Sequence, residues 1–251
     1  MKIIVCLHAS PPGGQPLADN DREAIRLARA LGEGHEVIAL LAGTKDEVAP
    51  LEAALLAGVD RAARVSGESF AAADFHTLGQ VLGSAARTLG PDLILGGARS
   101  DTDGLGALTA SIARHTGLPH LANIESLAPS AAAADGGRVL PLTVTVRGEG
   151  RKRRLAVGLP FVMSVVRGAA AAATEEPTRP GAPGRSIETL AIFDPEVTVI
   201  RRRTEILGTS TTAERPVKTV GSAAELVAGL TQPGPSEPLA PVRRGEGTGT
   251  G

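Results

Sequence analysis

Short apolar runs alternate with amphipathic segments through the first half of the chain, and this pattern predicts strands and helices in turn. The apolar runs predict four buried strands, at residues 2–7, 35–41, 61–65 and 92–95. The segments between and after them carry apolar residues at helical spacing and predict four helices, at residues 20–31, 46–57, 74–89 and 105–116. Asp19 and Asn20 are expected to cap the first helix, and Gly58 to end the second in a left-handed conformation. Such alternation is typical of the α/β class, with a mostly parallel sheet flanked by helices.

The pattern changes after Pro119, where strands are predicted to follow one another without helices. Residues 123–127 predict one strand, and residues 139–147 and 154–159 predict an antiparallel hairpin turned at Gly148-Glu149-Gly150. Residues 161–166 predict one more buried strand. The first domain is therefore expected to span residues 1–166.

The remaining residues are predicted to lie outside that domain. Residues 168–186 are rich in Ala, Pro and Gly and poor in bulky apolar side chains, so they indicate an extended arm. A helical stripe at residues 222–230 places a helix in the same C-terminal region, 167–232. Residues 233–251 have the composition of a disordered tail.

Composition and charge exclude several classes of partner. Lys and Arg number 26 against 27 Asp and Glu, so the chain lacks the positive field that nucleic-acid binding needs. Its aromatic residues are four Phe, with no Trp and no Tyr, which argues against stacking platforms for bases or sugars. The one cysteine, Cys6, cannot form an intramolecular disulfide, and the five histidines show no metal-ligand spacing. No apolar stretch reaches the roughly 18 residues of a membrane helix, so a soluble protein of the reducing cytoplasm is expected, without a metal site.

The carboxyl ends of the predicted strands are the candidate binding site, because parallel α/β sheets bind ligands there. The segment after the fourth strand, residues 96–106, combines glycines, hydroxyl groups and Arg99 ahead of a helix. Helix N-termini attract phosphate, so this segment favours nucleotide binding. By itself, a glycine-rich turn of this kind also fits an ordinary strand-to-helix connection.

Several motifs occur in an order and spacing that resemble a known family. They are the first strand, the helix opening at residues 21–25, Leu-Leu-Ala-Gly-Val-Asp-Arg-Ala at 55–62, Pro-Asp-Leu-Ile-Leu-Gly-Gly at 91–97 and Gly-Leu-Pro at 117–119. Together they resemble the β subunit of electron transfer flavoprotein, over about residues 1–166, in a divergent form. The resemblance implies a Rossmann-like domain that binds AMP. It also implies an α subunit that carries FAD and contacts residues 167–232, dehydrogenases as electron donors, and a membrane or soluble electron acceptor.

The resemblance also implies which residues form the AMP pocket. The matching residues are Cys6, Ala18, Asp19, Asn20, Asp21, Ala42, Gly97, Ala98, Arg99, Ser100, Asp101, Thr102, Asp103, Gly104, Leu105, Gly106, Ala107 and Leu108. Ala18 replaces the Asn of the family, His8 replaces its usual Lys, and residues 106–108 depart from its loop pattern. The family's docking segment for dehydrogenases is not recognisable after Arg167. These departures imply that backbone groups make most of the contacts to AMP.

The leading hypothesis is thus an electron-carrier subunit without catalytic residues of its own, because the redox chemistry would belong to the flavin. Two alternatives stay open. One is a nucleotide-binding regulatory module of the universal-stress type, against which the predicted hairpin counts. The other is a degenerate partner scaffold that has lost its nucleotide. The pocket itself could hold AMP, a second FAD or neither.

Overall fold

In a computed structural model, the described residues are 1–9, 13–32, 34–100, 106–130, 142–169 and 187–191. They all belong to the first of two units, Met1–Glu205. The predicted tail at 233–251, the helix at 222–230 and most of the arm at 168–186 lie outside the described residues. The loop residues Asp101, Thr102, Asp103, Gly104 and Leu105 lie outside them as well.

A nine-stranded sheet forms the centre of the molecule, in the order β7-β6-β5-β8-β4-β1-β2-β3-β9. In this order, every pair of neighbouring strands from β5 through β8, β4, β1, β2 and β3 to β9 is parallel. The pairs β5–β6 and β6–β7 are antiparallel. The strands are β1 (Lys2–Cys6), β2 (Glu36–Gly43), β3 (Arg61–Ser66), β4 (Leu93–Gly97), β5 (His120–Pro129), β6 (Leu142–Arg147), β7 (Lys152–Val157), β8 (Phe161–Val165) and β9 (Ile187–Thr189). The predicted α/β class with a Rossmann-like, mostly parallel sheet and an antiparallel hairpin is therefore confirmed.

Helices cover the two faces of the parallel part. They are α1 (Asp19–Ala30), α2 (Ala49–Leu56), α3 (Phe75–Leu89) and α4 (Leu108–Thr116), with a short 3-10 helix at Glu68–Ala72. One hydrophobic cluster joins α1 and α2 to Ile3 and Val5, and the other joins α3 and α4 to Ile4 and Cys6. Alternate residues of β1 thus enter different clusters, because successive side chains of a strand point to opposite faces. Burial on both faces explains why the parallel strands read as continuous apolar runs.

The hairpin of β6 and β7 turns where the sequence predicted. Arg147 pairs with Lys152, and the Gly148 N–H donates to the Arg151 carbonyl across the turn, at 2.8 Å. Gly150 has a φ of +66°, a conformation that glycine adopts without strain. The apolar side chains of the hairpin join the cluster of α1 and α2, so the hairpin extends that side of the core.

Two details differ from the sequence-based expectation. The N-cap of α1 is Ala18, not Asp19 or Asn20, and no side chain caps the helix. Both residues instead lie in its first turn, where Asn20 Nδ2 donates to the Arg99 carbonyl and Asp19 pairs with Arg167. The second detail is β9, a strand beside β3 that the mixed pattern of residues 187–206 did not indicate.

Gly58 has the predicted left-handed conformation, with a φ of +98°. Within the described part of the chain, no helix combines the length and apolarity needed to cross a membrane.

Candidate functional site

The structure brings the described candidate residues to one edge of the sheet. Cys6 ends β1, Ala42 is the penultimate residue of β2, and Gly97 ends β4, followed by Ala98, Arg99 and Ser100. Ala18 to Asp21 form the cap and first turn of α1, while Gly106 and Ala107 lead into α4, which begins at Leu108. This edge lies where β1 is flanked by β2 and β4, the point at which the strand order reverses. Open α/β sheets bind ligands at such a point.

Two successive glycines at the end of β4 make room for helices on opposite faces. A Cβ on Gly96 would lie 2.6 Å from Thr109 Cγ2 of α4. A Cβ on Gly97 would lie 2.5 Å from Asp21 Oδ1 of α1. Larger side chains here would displace both helices from the strand end. The Gly-Gly pair therefore has a packing role, in addition to any contact with a ligand.

Asp21 links the ends of β1 and β4 from the α1 side. Its carboxylate accepts hydrogen bonds from the backbone N–H groups of His8, at 2.7 Å, and Gly97, at 3.0 Å. It also pairs with His8 Nδ1 at 2.9 Å. Asp21 is fully buried and fixes both the backbone and the imidazole ring at the strand end. The sequence did not predict the contact between His8 and Asp21, because the two residues are 13 positions apart.

The opposite face, toward α3 and α4, is lined by small and apolar side chains. Cys6, Ala42 and Leu108 all belong to the hydrophobic cluster on that face. Burial, with a further contribution from Asp21, raises the pKa of the Cys6 thiol far above its ordinary value. Cys6 is therefore a neutral packing residue in the core.

Polar groups at the start of α4 complete this face. No side chain caps the helix, whose N-cap is Ala107, so its first N–H groups have no side-chain acceptor. The Thr109 side-chain oxygen is buried without a hydrogen-bond partner. Buried polar atoms nearly always have a partner, so this hydroxyl indicates a missing water or ligand. An uncapped helix N-terminus with a free hydroxyl is suited to an anion such as a phosphate group.

The two described ends of the segment between β4 and α4 lie close together. A Cβ on Gly106 would lie 2.5 Å from the carbonyl oxygen of Ala98, so the chain approaches itself too closely for another residue. Asn20 Nδ2 donates to the Arg99 carbonyl at 3.1 Å and holds the first part of the loop against α1. The phosphate contacts expected from residues 101–105 lie outside the described residues.

A cleft of about 470 Å³ opens on the α1 side of the same edge. Asn20, Ala98 and Arg99 line it, together with residues of the β6–β7 turn and of the segment after β8. Sequence reasoning missed the contribution of the turn, because only the sheet order brings the hairpin next to β4 and β8. Across the described residues, no group of three or more His, Cys, Asp or Glu is arranged to hold a metal ion.

Comparison with known proteins supports an assignment by family. Residues 13–191 match the model of the electron transfer flavoprotein domain. This match covers most of the chain and includes α1, the parallel sheet apart from β1, and the hairpin. No curated protein sequence matches the chain.

Proposed function

Because the chain belongs to the electron transfer flavoprotein domain family, we propose that it is the β-type subunit of such a carrier. Members of the family are electron carriers, so a role in electron transfer with electron-transfer partners follows from membership. The finer proposal is that the chain binds AMP at the strand ends and pairs with an FAD-bearing α subunit. That pair would take electrons from dehydrogenases and pass them to a membrane or soluble acceptor.

The observation that carries the AMP proposal is the unpartnered Thr109 hydroxyl beside the uncapped start of α4. The phosphate of AMP would accept hydrogen bonds from this hydroxyl and from the first N–H groups of α4. Its adenine would lie beyond the ends of β1 and β2, where Ala42 is 5% exposed and Cys6 is fully buried. Asp21 would act indirectly, by fixing the strand ends around which the pocket forms.

The redox chemistry would come from the flavin, which accepts and donates electrons when it is bound. The chain contributes no Trp or Tyr to stack on an isoalloxazine ring, in line with a flavin held mainly by a partner. We therefore assign it three tasks: holding AMP as a structural group, presenting a surface to the α subunit, and excluding water from the partner's cofactor.

The AMP proposal is tested by two substitutions on the same helix. Thr109→Val keeps the shape of the side chain and removes the unpartnered hydroxyl, so AMP affinity should fall about five-fold to ten-fold. Without nucleotide, stability should hold or rise, since a buried unsatisfied group is removed. Thr116→Val is the matched control at the far end of α4, where Thr116 Oγ1 bonds to the Ile112 carbonyl. Equal AMP affinity in the wild type and in Thr109→Val would show that AMP does not bind at Thr109.

The pairing proposal is tested on the complex purified from its native source. Denaturation should release AMP and FAD in comparable amounts, and the co-purified chain should be a flavin-binding α subunit. Release of FAD alone would favour the scaffold alternative. Purification as homo-oligomers without flavin would contradict the carrier proposal itself.

A further inference from the structure

The cleft on the α1 side is separate from the face that Cys6, Ala42 and Thr109 form. Cys6 and Ala42 belong to the cluster of α3 and α4, whereas the hairpin beside the cleft packs into the cluster of α1 and α2. The sheet lies between these clusters. Three lining residues are near both regions: Asn20, Ala98 and Arg99. Three others line the cleft and take no part in the other face: Asn123, Arg147 and Arg167.

Three arginines from different parts of the chain line this cleft. Arg99 follows β4, Arg147 ends β6 and Arg167 follows β8. Arg99 forms no ion pair within the described part of the chain and is exposed. Guanidinium groups present several donors in a plane, which match the oxygens of phosphate better than a single ammonium does.

The acidic neighbours do not fully neutralise these arginines. Glu125 accepts from Arg147 at 2.7 Å and also from Lys152 at 2.9 Å, so one carboxylate is shared by two cations. Both partners lower the pKa of Glu125. Asp19 pairs with Arg167 at 3.1 Å, but the two side chains are 48% and 80% exposed, so this pair is weak. Glu149 lines the cleft too. The positively charged groups in and beside the cleft exceed the negatively charged ones by one. The cations are Arg99, Arg147, Arg167 and Lys152, and the carboxylates are Asp19, Glu125 and Glu149.

The backbone beside the arginines has an unusual conformation. Asn123, with a φ of +61°, is the one non-glycine residue of the described chain in the left-handed region. It lies at the irregularity in the pairing of β5 with β8, and its N–H donates to Ser164 Oγ at 3.2 Å. Residues in such conformations are concentrated at binding sites. Here the irregularity lies where Asn123 lines the cleft, which Asn20 of α1 also lines.

We propose that this cleft binds a phosphorylated, hydroxyl-bearing small molecule, with Arg99, Arg147 and Arg167 holding its phosphate. The cleft is several times larger than a phosphate group, so the ligand has an organic body. Among the described residues that line the cleft none is aromatic, whereas Asn20 and Asn123 offer amide groups that suit hydroxyls. The cleft shares Asn20, Ala98 and Arg99 with the residues expected to form the AMP pocket, so substitutions of Arg167 and Thr109 are needed to tell the two sites apart.

Ribose 5-phosphate is the probe for calorimetric titration of the full chain at about 0.15 M salt, with ribose as the unphosphorylated control. Arg167→Gln should weaken binding about three-fold to ten-fold, because one charge-assisted contact is lost. Glu149→Gln should have the opposite effect and tighten binding, because it removes a repelling carboxylate. Arg153→Gln is the matched control: Arg153 is exposed on β7 but does not line the cleft, and salt screens its charge.

Three outcomes would overturn the proposal. They are no binding of ribose 5-phosphate, equal weakening by Arg153→Gln and Arg167→Gln, and binding that Thr109→Val weakens while Arg167→Gln does not. The last outcome would place the probe at the strand-end face and leave the AMP proposal intact. Conversely, loss of AMP binding in Thr109→Val with unchanged ribose 5-phosphate binding would support both sites.

Discussion

The buried carboxylate of Asp21 joins the ends of two neighbouring strands, and its substitution is the sharpest test of stability at the residue scale. Asp21→Asn replaces one acceptor oxygen by an N–H₂ group facing backbone donors. We expect a loss of about 2–4 kcal/mol in the free energy of unfolding, measured by urea denaturation. Asp19→Asn, two residues earlier and exposed, should change it by less than about 0.5 kcal/mol. Similar losses in both variants would contradict the structural role of Asp21.

His120 makes stability depend on pH. Burial lowers the pKa of its imidazole, and its Nε2 is buried without a hydrogen-bond partner. The unfolded chain therefore binds the proton at a higher pH than the folded chain, so stability should fall as the pH drops through the ordinary histidine range. His120→Gln should flatten that part of the curve, recorded by chemical denaturation from about pH 8 to pH 5. An unchanged slope would show that other groups cause the dependence.

The sequence predicted individual site residues where a local signal existed. The family resemblance placed Cys6, Ala42 and Gly97 in the pocket, and they lie at the ends of predicted strands, which a parallel sheet collects at one edge. The contacts of Asp21 with His8 and Gly97 were not predictable, because they depend on where α1 begins. Arg147 and Asn123 were missed for a related reason: a hairpin turn and an irregular strand pairing reveal their neighbours only in the folded sheet.

Among the elements, β9 is attached to the sheet edge by few interactions. Ile187 packs against the cluster of α1 and α2, and the Leu190 N–H donates to the Arg64 carbonyl at 2.8 Å. Arg61 adds ion pairs to Glu36 and Glu188, which raise its pKa. Because these ion pairs are exposed, the burial of Ile187 should contribute most of the attachment.

Ile187→Asp should therefore release β9 while the rest of the sheet stays folded. The measurement is hydrogen exchange at Leu190, whose amide should lose its protection, whereas amides of β1 should keep theirs. Glu188→Gln removes only an exposed ion pair and should leave Leu190 protected. Loss of protection throughout the sheet would show that β9 is integral to the fold.

The elements also show how far periodicity determines a fold. The alternation of apolar runs with amphipathic segments predicted α1 to α4, and the apolar runs predicted β1 to β8. The predicted bounds differ from the observed ones by a few residues. Helix α4, for example, begins at Leu108 and not at residue 105. Three-residue β9 was not recognised, since so short a segment has no period to detect. The position of β8 between β4 and β5 is likewise a tertiary property that no local pattern contains.

At the scale of the whole molecule, the two faces of the sheet edge divide the proposed binding tasks. The small side chains and the free hydroxyl lie toward α3 and α4, and the arginines lie toward α1 and the hairpin. Asp21 and the Gly-Gly end of β4 separate the two. Thr109 and Arg167 each belong to one site alone, so their substitutions test the two proposals separately although Asn20, Ala98 and Arg99 lie near both.

The missing Trp and Tyr make the bound cofactors directly visible. Four Phe contribute little near-ultraviolet absorbance, so a bound chromophore dominates the spectrum of the purified chain. If the strand-end site holds AMP, the isolated chain should show an adenine band without visible colour. Flavin bands should appear only when the α subunit is added, because we propose that the α subunit holds the flavin. A yellow isolated chain would instead show that the site takes FAD. A chain with neither band, but folded by circular dichroism, would contradict nucleotide binding and support the scaffold alternative.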